Sequence, residues 1–587
     1  MTTVKESKSW PAMSIAEAHA QLTAPGAPFE IEEQVIRGIR TRTWKNVPPT
    51  LRDVFLEGLR FKEREFLVYE DDRATYASFA KATVKLARQL QADGVKKGDR
   101  VAVIMRNLPE WPVAFWAAIL CGAIVTPLNA WWTGAELEYG LADSETKIAL
   151  VDDERLERIE AFLDKLPDLE RVYVTRLGAA PLPTKTAKLE TVIGPVGSWE
   201  CLPDLALPDV PIGPEDDATI FYTSGTTGRP KGALGTHRNT ASSVAGGAHT
   251  AARTFLRAGE PLPELDPAKT PQRVTLLVVP MFHVSGLAAT LVPTMSSGGK
   301  LVLMRRWDAE QAMQLIEREK VSSTGGVPTI AWQLIEHPAR TKYDLSSVVS
   351  LNYGGAPSAP ELVRQILDAF PGALPGNGWG MTETAAGFAG HVGRDYENRP
   401  DSCGPAAPVG EMQVRDPADG RTILPAGSIG ELWVKGPQVV KGYWKKPEAT
   451  AETFQDGWLR TGDLVRVDDE GFLFIIDRAK DMLIRGGENI YCIEVENVLY
   501  DHPDVMDAAL IGIPHKTLGE EPGAVVHLRP GGTATEQDLR AFVRERLAAF
   551  KVPVKVAFWP ETLPRNANGK IMKRDLKTVF AAEEAGT

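Results

Sequence analysis

Apolar and polar positions change their period several times along the chain, and each change predicts an element. Ser14-Ile15-Ala16-Glu17 has the spacing of a capping box and predicts a short helix through Leu22. Apolar residues alternate over 29–35 and 39–44 with Gly38 between them, which predicts a hairpin. From Leu51 onward helix-period and strand-period stretches take turns: helix over 76–93, strand over 100–105, helix over 111–120, strand over 147–151. Such alternation predicts parallel sheets covered by helices. Pro- and Gly-rich stretches at 178–214 and 258–271 read as surface excursions. After Gly410 the pattern breaks into short β-rich pieces at 430–434, 458–460 and 471–476. From Asp481 a compact βαβ-like tail is expected, with a helix over 492–500, a strand over 505–513 and a helix over 536–549. No internal repeat is found.

The stretch 111–128, WPVAFWAAILCGAIVTPL, is uncharged and close to the length of a membrane span. It is interrupted by Pro112, Gly122 and Pro127, so a buried helix, a glycine stop and a buried strand over 123–127 fit it better. A chain of 587 residues with a net charge of −11 is enzyme-sized and does not suit a nucleic-acid polymer as main partner. Cys121, Cys201, Cys403 and Cys492 are far apart and form no CxxC pair. They predict neither a disulfide framework nor a zinc site and suit a reducing cytoplasm. No secretory signal is read at the N-terminus.

The most informative stretch is Tyr222-Thr223-Ser224-Gly225-Thr226-Thr227-Gly228-Arg229-Pro230-Lys231-Gly232, behind an apolar strand at 218–222. Glycines let backbone N–H groups turn toward an anion, and the hydroxyls and a lysine add donors. With His237-Arg238-Asn239 opening a helix, the order strand, loop, helix suits a phosphate site. It is not a Walker loop, because GxxxxGK[ST] is absent.

This loop resembles the signature of the adenylate-forming superfamily, and further matches follow in order. They are GGAP (Gly354, Gly355, Ala356, Pro357), NGWGMTET (377–384), WLRTGD (458–463), DRAKDMLIRGGENIY (477–491) and NGK (568–570). The resemblance runs from about Leu51 to Lys577 and is nearest to the acyl-CoA synthetases. It implies an α/β fold: a large N-terminal domain of stacked parallel αβ sheets with a small β-barrel-like subdomain, and a small mobile α+β C-terminal domain. The expected boundaries are 1–50 for an N-terminal extension, 51–479 for the AMP-binding domain and 480–587 for the mobile domain.

A carboxylate beside a nucleotide phosphate is a hard oxygen ligand for Mg²⁺, and the resemblance makes Glu383 that ligand, with Thr382 on the phosphate. Gly354 to Pro357 would face adenine, with Trp379 stacked on it where most relatives have Tyr. Asp463 would accept from the ribose hydroxyls, and Arg478 would give a second nucleotide contact. Lys570 is implied as the lysine that bridges the substrate carboxylate and the α-phosphate, stabilising charge at phosphorus. Lys480 corresponds to a hinge, and Gly486-Gly487 to the loop brought to the thiol after rotation. His283, in Met281-Phe282-His283-Val284-Ser285-Gly286, would border the acyl pocket; no acid stands beside it to pair an α-ammonium. Cys492 stands where many relatives have Pro, and a packing effect is expected. Trp131-Trp132 reads as core in the first place, with an exposed patch for a partner or a bilayer surface as the alternative.

The reaction implied is acyl-AMP formation from a carboxylic acid and ATP, then thioester formation with coenzyme A. Ala385, Ala386, Gly387, Val284, Val327 and Ile330 suggest a roomy apolar pocket suited to a medium- or long-chain fatty acid. An aryl or steroid-side-chain acid, or loading of a carrier protein, fits the same residues. A non-catalytic nucleotide sensor is disfavoured by Glu383, Asp463, Lys480 and Lys570 standing together. The expected partners are the acid, ATP and CoA; peripheral membrane contact and a homodimer stay open.

Overall fold

The computed structural model describes residues 10–223, 229–263, 270–354, 360–479, 481–485, 488–566 and 569–580. Two eight-stranded sheets form the large body. In the first, Arg100–Ile104 lies between Ile124–Pro127 and Thr146–Asp152, all parallel, and Asp217–Thr223 joins parallel to Ile124–Pro127. The second places the parallel strands Val274–Leu277, Lys300–Leu303, Ser323–Gly326, Ser350–Gly354 and Leu374–Met381 side by side, with Glu65–Tyr69 against Lys300–Leu303. The first sheet ends in one antiparallel and one parallel edge, the second in antiparallel edges on both sides, around the parallel centre that alternating helices and strands lead one to expect.

The ambiguous apolar stretch is a helix, Glu110–Leu120, with every residue buried. Its 11 residues reach about 16 Å, roughly half a bilayer core. Pro112 falls in its first turn, where no intrahelical N–H is lost, and Gly122 at φ +67° turns the chain into the strand Ile124–Pro127. Trp111, Phe115 and Trp116 pack into the largest core beside Phe55. Among the described residues no helix is long and apolar enough to cross a membrane.

The N-terminal helix Ile15–Thr23 carries both halves of the Ser14/Glu17 capping box and packs on the helix His237–Arg257. The hairpin of Ile31–Ile36 and Ile39–Trp44 turns at Arg37 and Gly38, both with positive φ, and Trp44 Nε1 donates to Ser242 O at 3.2 Å.

Several expectations need correction. The segment 178–214 is not only surface: it adds the edge strand Thr186–Lys188, and the turn Val196–Cys201 buries Trp199 completely. The tryptophan pair divides, with Trp132 half-buried against Tyr222 and Trp131 45% exposed beneath the Arg106 guanidinium. The expected strand at 458–460 continues to Val467, and the helix begun at Glu536 stops at Arg544.

A five-stranded antiparallel sheet, which includes Ile429–Lys435, Trp458–Val467 and Leu473–Arg478, closes the large body. The C-terminal unit has its own core around a second five-stranded sheet. There the strands Val505–His515 and Gly519–Leu528 form a long antiparallel hairpin rather than a βαβ unit, and Lys555–Phe558 joins parallel to the latter. The helix Cys492–Tyr500 covers this sheet and also meets the strand Leu473–Arg478 of the large body.

Candidate active site

The signature loop joins two antiparallel strands, Asp217–Thr223 and Lys231–Thr236. The helix His237–Arg257 begins only after the second strand, capped by Thr236, and His237 is fully buried. The expected strand-loop-helix order is therefore a hairpin, and the helix N-terminus does not open at the loop. Thr223 Oγ1 donates to Lys231 O across the loop's base at 3.3 Å. Ser224, Gly225, Thr226, Thr227 and Gly228 lie outside the described residues, as do Gly355, Ala356, Pro357, Lys480, Gly486 and Gly487.

Lys231 leads from this hairpin into the centre. Its ammonium sits 5.1 Å from the Tyr443 ring centre, and the Tyr443 hydroxyl donates to Glu383 Oε1 at 2.7 Å. Tyr443 is placed by the short strand Gly442–Tyr443, paired to Lys231–Thr236. It lies outside every motif read from the sequence. Glu383 stands on the single turn Thr382–Thr384 after the strand Leu374–Met381. The sharpness of that turn is built by Ala385 and Ala386, both at positive φ, and by Gly380, where a Cβ would lie 1.8 Å from Ala386 O. Burial raises the Glu383 carboxyl, Asp463 adds to that, and the Tyr443 hydroxyl and Arg478 oppose it.

A second group forms around Asp463. Trp379 Nε1 donates to Asp463 Oδ2 at 2.9 Å, and Arg478 Nε approaches Oδ1 at 3.3 Å. Asp463 and Arg478 face each other in register on the strands Trp458–Val467 and Leu473–Arg478. Three residues from three separate motifs thus converge. Trp379 is packed against Phe388 and almost fully buried, so its indole acts here as a donor that orients the Asp463 carboxylate. Gly354 ends its strand alongside Gly378 of the neighbouring one.

His283 caps the short turn Val284–Gly286 after the strand Val274–Leu277. Burial pushes its imidazole down to about 3, so it is neutral at physiological pH. Its Nε2 is buried and has no partner among the described residues. Nearby, Val284, Ala288, Phe221, Thr382 and Ala385 line a cavity of about 10 Å³ whose lining residues are all uncharged. That is space for about one water molecule, and the described residues around it have the uncharged character expected of the acyl pocket. Ile330 and Val327 pack instead with the core of the second sheet.

Lys570 lies in a tight turn of the C-terminal unit. Its backbone N–H donates to Asn566 Oδ1, and Arg565 bridges to both carboxylate oxygens of Asp507 at 2.7 Å. Gly569, at φ +71°, rests against Val327 of the large body so closely that a Cβ would come within 2.6 Å of its side chain. The turn bearing Lys570 is thereby seated on the large body. Cys492 is buried, and its thiol, raised by burial, donates to Asp481 O, in keeping with a packing role.

Residues 57–444 match the AMP-binding enzyme family and residues 494–570 the AMP-binding enzyme C-terminal domain. The chain belongs to the AMP-binding enzyme family. It is 35% identical over 506 residues to a feruloyl-CoA synthase from an Amycolatopsis species, spanning 86% of this chain and 94% of that protein. It is 34% identical over 548 residues to a long-chain-fatty-acid–CoA ligase of Bacillus subtilis, spanning 90% and 94%. ATP-bound MatB from Rhodopseudomonas palustris superposes with a TM-score of 0.77 at 30% identity, over 91% of this chain and 99% of that one. This family member is an ATP-dependent acid–thiol ligase of the AMP-forming class, acting on a carboxylic acid, ATP and CoA.

Proposed function

We propose that this ligase activates an uncharged, apolar monocarboxylic acid, a medium- or long-chain fatty acid in the first place. The observation that carries this reading is the uncharged lining beside neutral His283, which offers nothing to pair an ammonium or a second carboxylate. A flat aryl-propenoic acid is the second reading, favoured by the likeness to the feruloyl-CoA synthase.

In the reaction we propose, a substrate carboxylate oxygen attacks the α-phosphorus of ATP and pyrophosphate leaves. The CoA thiol, after losing its proton, then attacks the acyl carbon and AMP leaves. Lys570 lies between carboxylate and α-phosphate in the first step, stabilising the charge that develops there. Thr382 meets a phosphate oxygen, His283 donates from its neutral ring to the incoming carboxylate, and Lys231 with residues 223–228 receives the phosphates. Trp379 holds Asp463 for the ribose hydroxyls, with Arg478 beside it. Gly354 to Pro357 form the adenine wall.

Glu383 fits a magnesium site, since it is a buried carboxylate that accepts at Oε1 from a neutral hydroxyl. The ion would neutralise phosphate charge. Magnesium is commonly held by one or two carboxylates with the phosphates completing its octahedron, and among the described residues no cluster of three metal-binding side chains occurs that would build a closed all-protein site. Lys480 serves as the hinge and Gly486-Gly487 as the thiol-side loop, with the mobile domain at 480–587 and an extension at 1–50. A cytoplasmic location is part of the same reading.

AMP release measured with a panel of fatty, aryl-propenoic and steroid-side-chain acids, with and without CoA, tests it. CoA-dependent release that peaks with a fatty acid of eight or more carbons, about a tenfold preference or greater, is the expected result. A charged dicarboxylic or α-amino acid as best substrate would overturn it.

A further inference from the structure

Adjacent residues of a strand point to opposite faces, and the pair Asp477-Arg478 uses this in an uncommon way. Arg478 turns toward Asp463 and the nucleotide side. Asp477 turns the other way, out of the large body, and is 1% exposed. One of its oxygens accepts the Arg478 backbone N–H at 2.7 Å, and the other accepts a short hydrogen bond from the backbone N–H of Cys492. Cys492 is the first residue of the helix Cys492–Tyr500, part of the C-terminal core. The bond therefore runs from the last strand of one unit to the first helix turn of the other.

We infer that the Asp477 carboxylate is a positioning latch: by accepting the Cys492 N–H it holds the C-terminal unit in the orientation that seats the Lys570 turn on Val327. The inference rests on the proposed reading of two orientations for that unit. A carboxylate at a helix N-terminus is favoured by the helix dipole as well as by the hydrogen bond. Around it stand Lys573, whose ammonium pairs with Glu496 at 2.6 Å, and the Cys492 thiol. Lys573 attracts the Asp477 charge and Glu496 repels it. Any swing of the C-terminal unit about the segment 479–491 must draw the helix amide away and leave this carboxylate without its partner, so the latch opposes departure from the seated orientation.

The backbone makes a clean test available. Tyr491 has ψ 115°, which suits a residue before proline, and the first position of a helix tolerates proline. Cys492→Pro therefore deletes the N–H together with the thiol that donates to Asp481 O, Cys492→Ala deletes the thiol alone, and Asp477→Asn removes the charge. Spin labels at Asp368→Cys and Glu545→Cys in a Cys201→Ser background, on side chains 66% and 72% exposed, report the distance between the units in the full chain with ATP. Acyl-AMP formation from dodecanoic acid and from ferulic acid, and thioester formation from supplied adenylate, are timed separately. Cys492→Pro and Asp477→Asn should move most molecules to a second distance and slow acyl-AMP formation about tenfold, while thioester formation stays within about twofold. Cys492→Ala should behave as the parent. Parent-like distances in both Cys492→Pro and Asp477→Asn would overturn the latch; if the proline variant fails to fold, Asp477→Asn decides alone. Should neither acid be activated by the parent, the substrate reading fails while the distances still decide the latch.

Discussion

Glu383 shows how one hydroxyl can set the state of a reaction centre. Burial raises its carboxyl, and the Tyr443 donor draws it back toward the ordinary carboxylate range. Tyr443→Phe should lower acyl-AMP formation about tenfold and raise the Mg²⁺ concentration needed for half-maximal rate, a shift a magnesium titration would reveal. Trp379→Phe removes the donor on Asp463 while keeping an aromatic face. It should raise the KM for ATP several-fold with kcat little changed, because the ribose contact is made equally in ground and transition states. Lys570→Ala should slow acyl-AMP formation by about a hundredfold or more and spare thioester formation from supplied adenylate, as timing each half-reaction would show. Equal loss in both steps would remove Lys570 from that role. At this scale the sequence was most legible where a residue type has a single use, as with Glu383, Asp463 and Arg478. Tyr443 was not legible, because a tyrosine in Gly442-Tyr443-Trp444 carries no spacing that ties it to a carboxylate sixty residues earlier.

Among elements, the helix Pro328–Glu336 stands out as the seat of the C-terminal unit. Val327, just before it, meets Gly569, while farther along the Arg529 guanidinium lies 5.2 Å over the Trp332 ring and pairs with Glu336. Arg529→Ala should slow acyl-AMP formation a few-fold without altering thioester formation, since a partly buried ion pair with an aromatic face contributes about 1 kcal/mol. Stopped-flow measurement of pyrophosphate release would register it. Caps, alternating strands and the glycine stop at Gly122 were readable because each depends on neighbours in sequence. The hairpin partner Lys231–Thr236 was not, because Lys-Gly-Ala-Leu-Gly-Thr has weak strand character and is held by pairing on both sides. Trp199 was hidden likewise, since a proline-rich stretch gives no hint that a distant core will take up one indole.

The molecule as a whole is tied to its N-terminal extension through a buried aromatic group. His249 lies with ring centres 5.0 Å from His19, 5.3 Å from Phe29 and 5.6 Å from Trp44. Its two ring nitrogens have no partner among the described residues, and burial pushes the imidazole down to about 2; His19 is pushed down to about 4. A base with a lowered folded-state pKa stabilises nothing extra above its unfolded value of 6.5, and costs stability as the pH falls from there toward the folded value. At pH 5 the His249 contribution amounts to about 2 kcal/mol of lost stability. His249→Phe should leave the melting temperature nearly unchanged at pH 7.5 and raise it by several degrees at pH 5, as scanning calorimetry would show. An equal effect at both pH values would place the gain in packing rather than in the proton.

The second sheet sets a timetable for synthesis. The strand Glu65–Tyr69 is made early, yet the partner on which it depends, Lys300–Leu303, emerges more than two hundred residues later. At ribosomal speeds of about 5–20 residues per second, that is a wait of roughly ten to fifty seconds. Its local partner Asp72–Thr75 covers only one of its two edges in the meantime. The other edge, with the apolar run Phe66-Leu67-Val68, stays open to any passing strand. Yield in a cell should therefore depend on chaperones that hold nascent chains, and slower translation through residues 70–300 should lower it, even though the finished enzyme buries that edge completely.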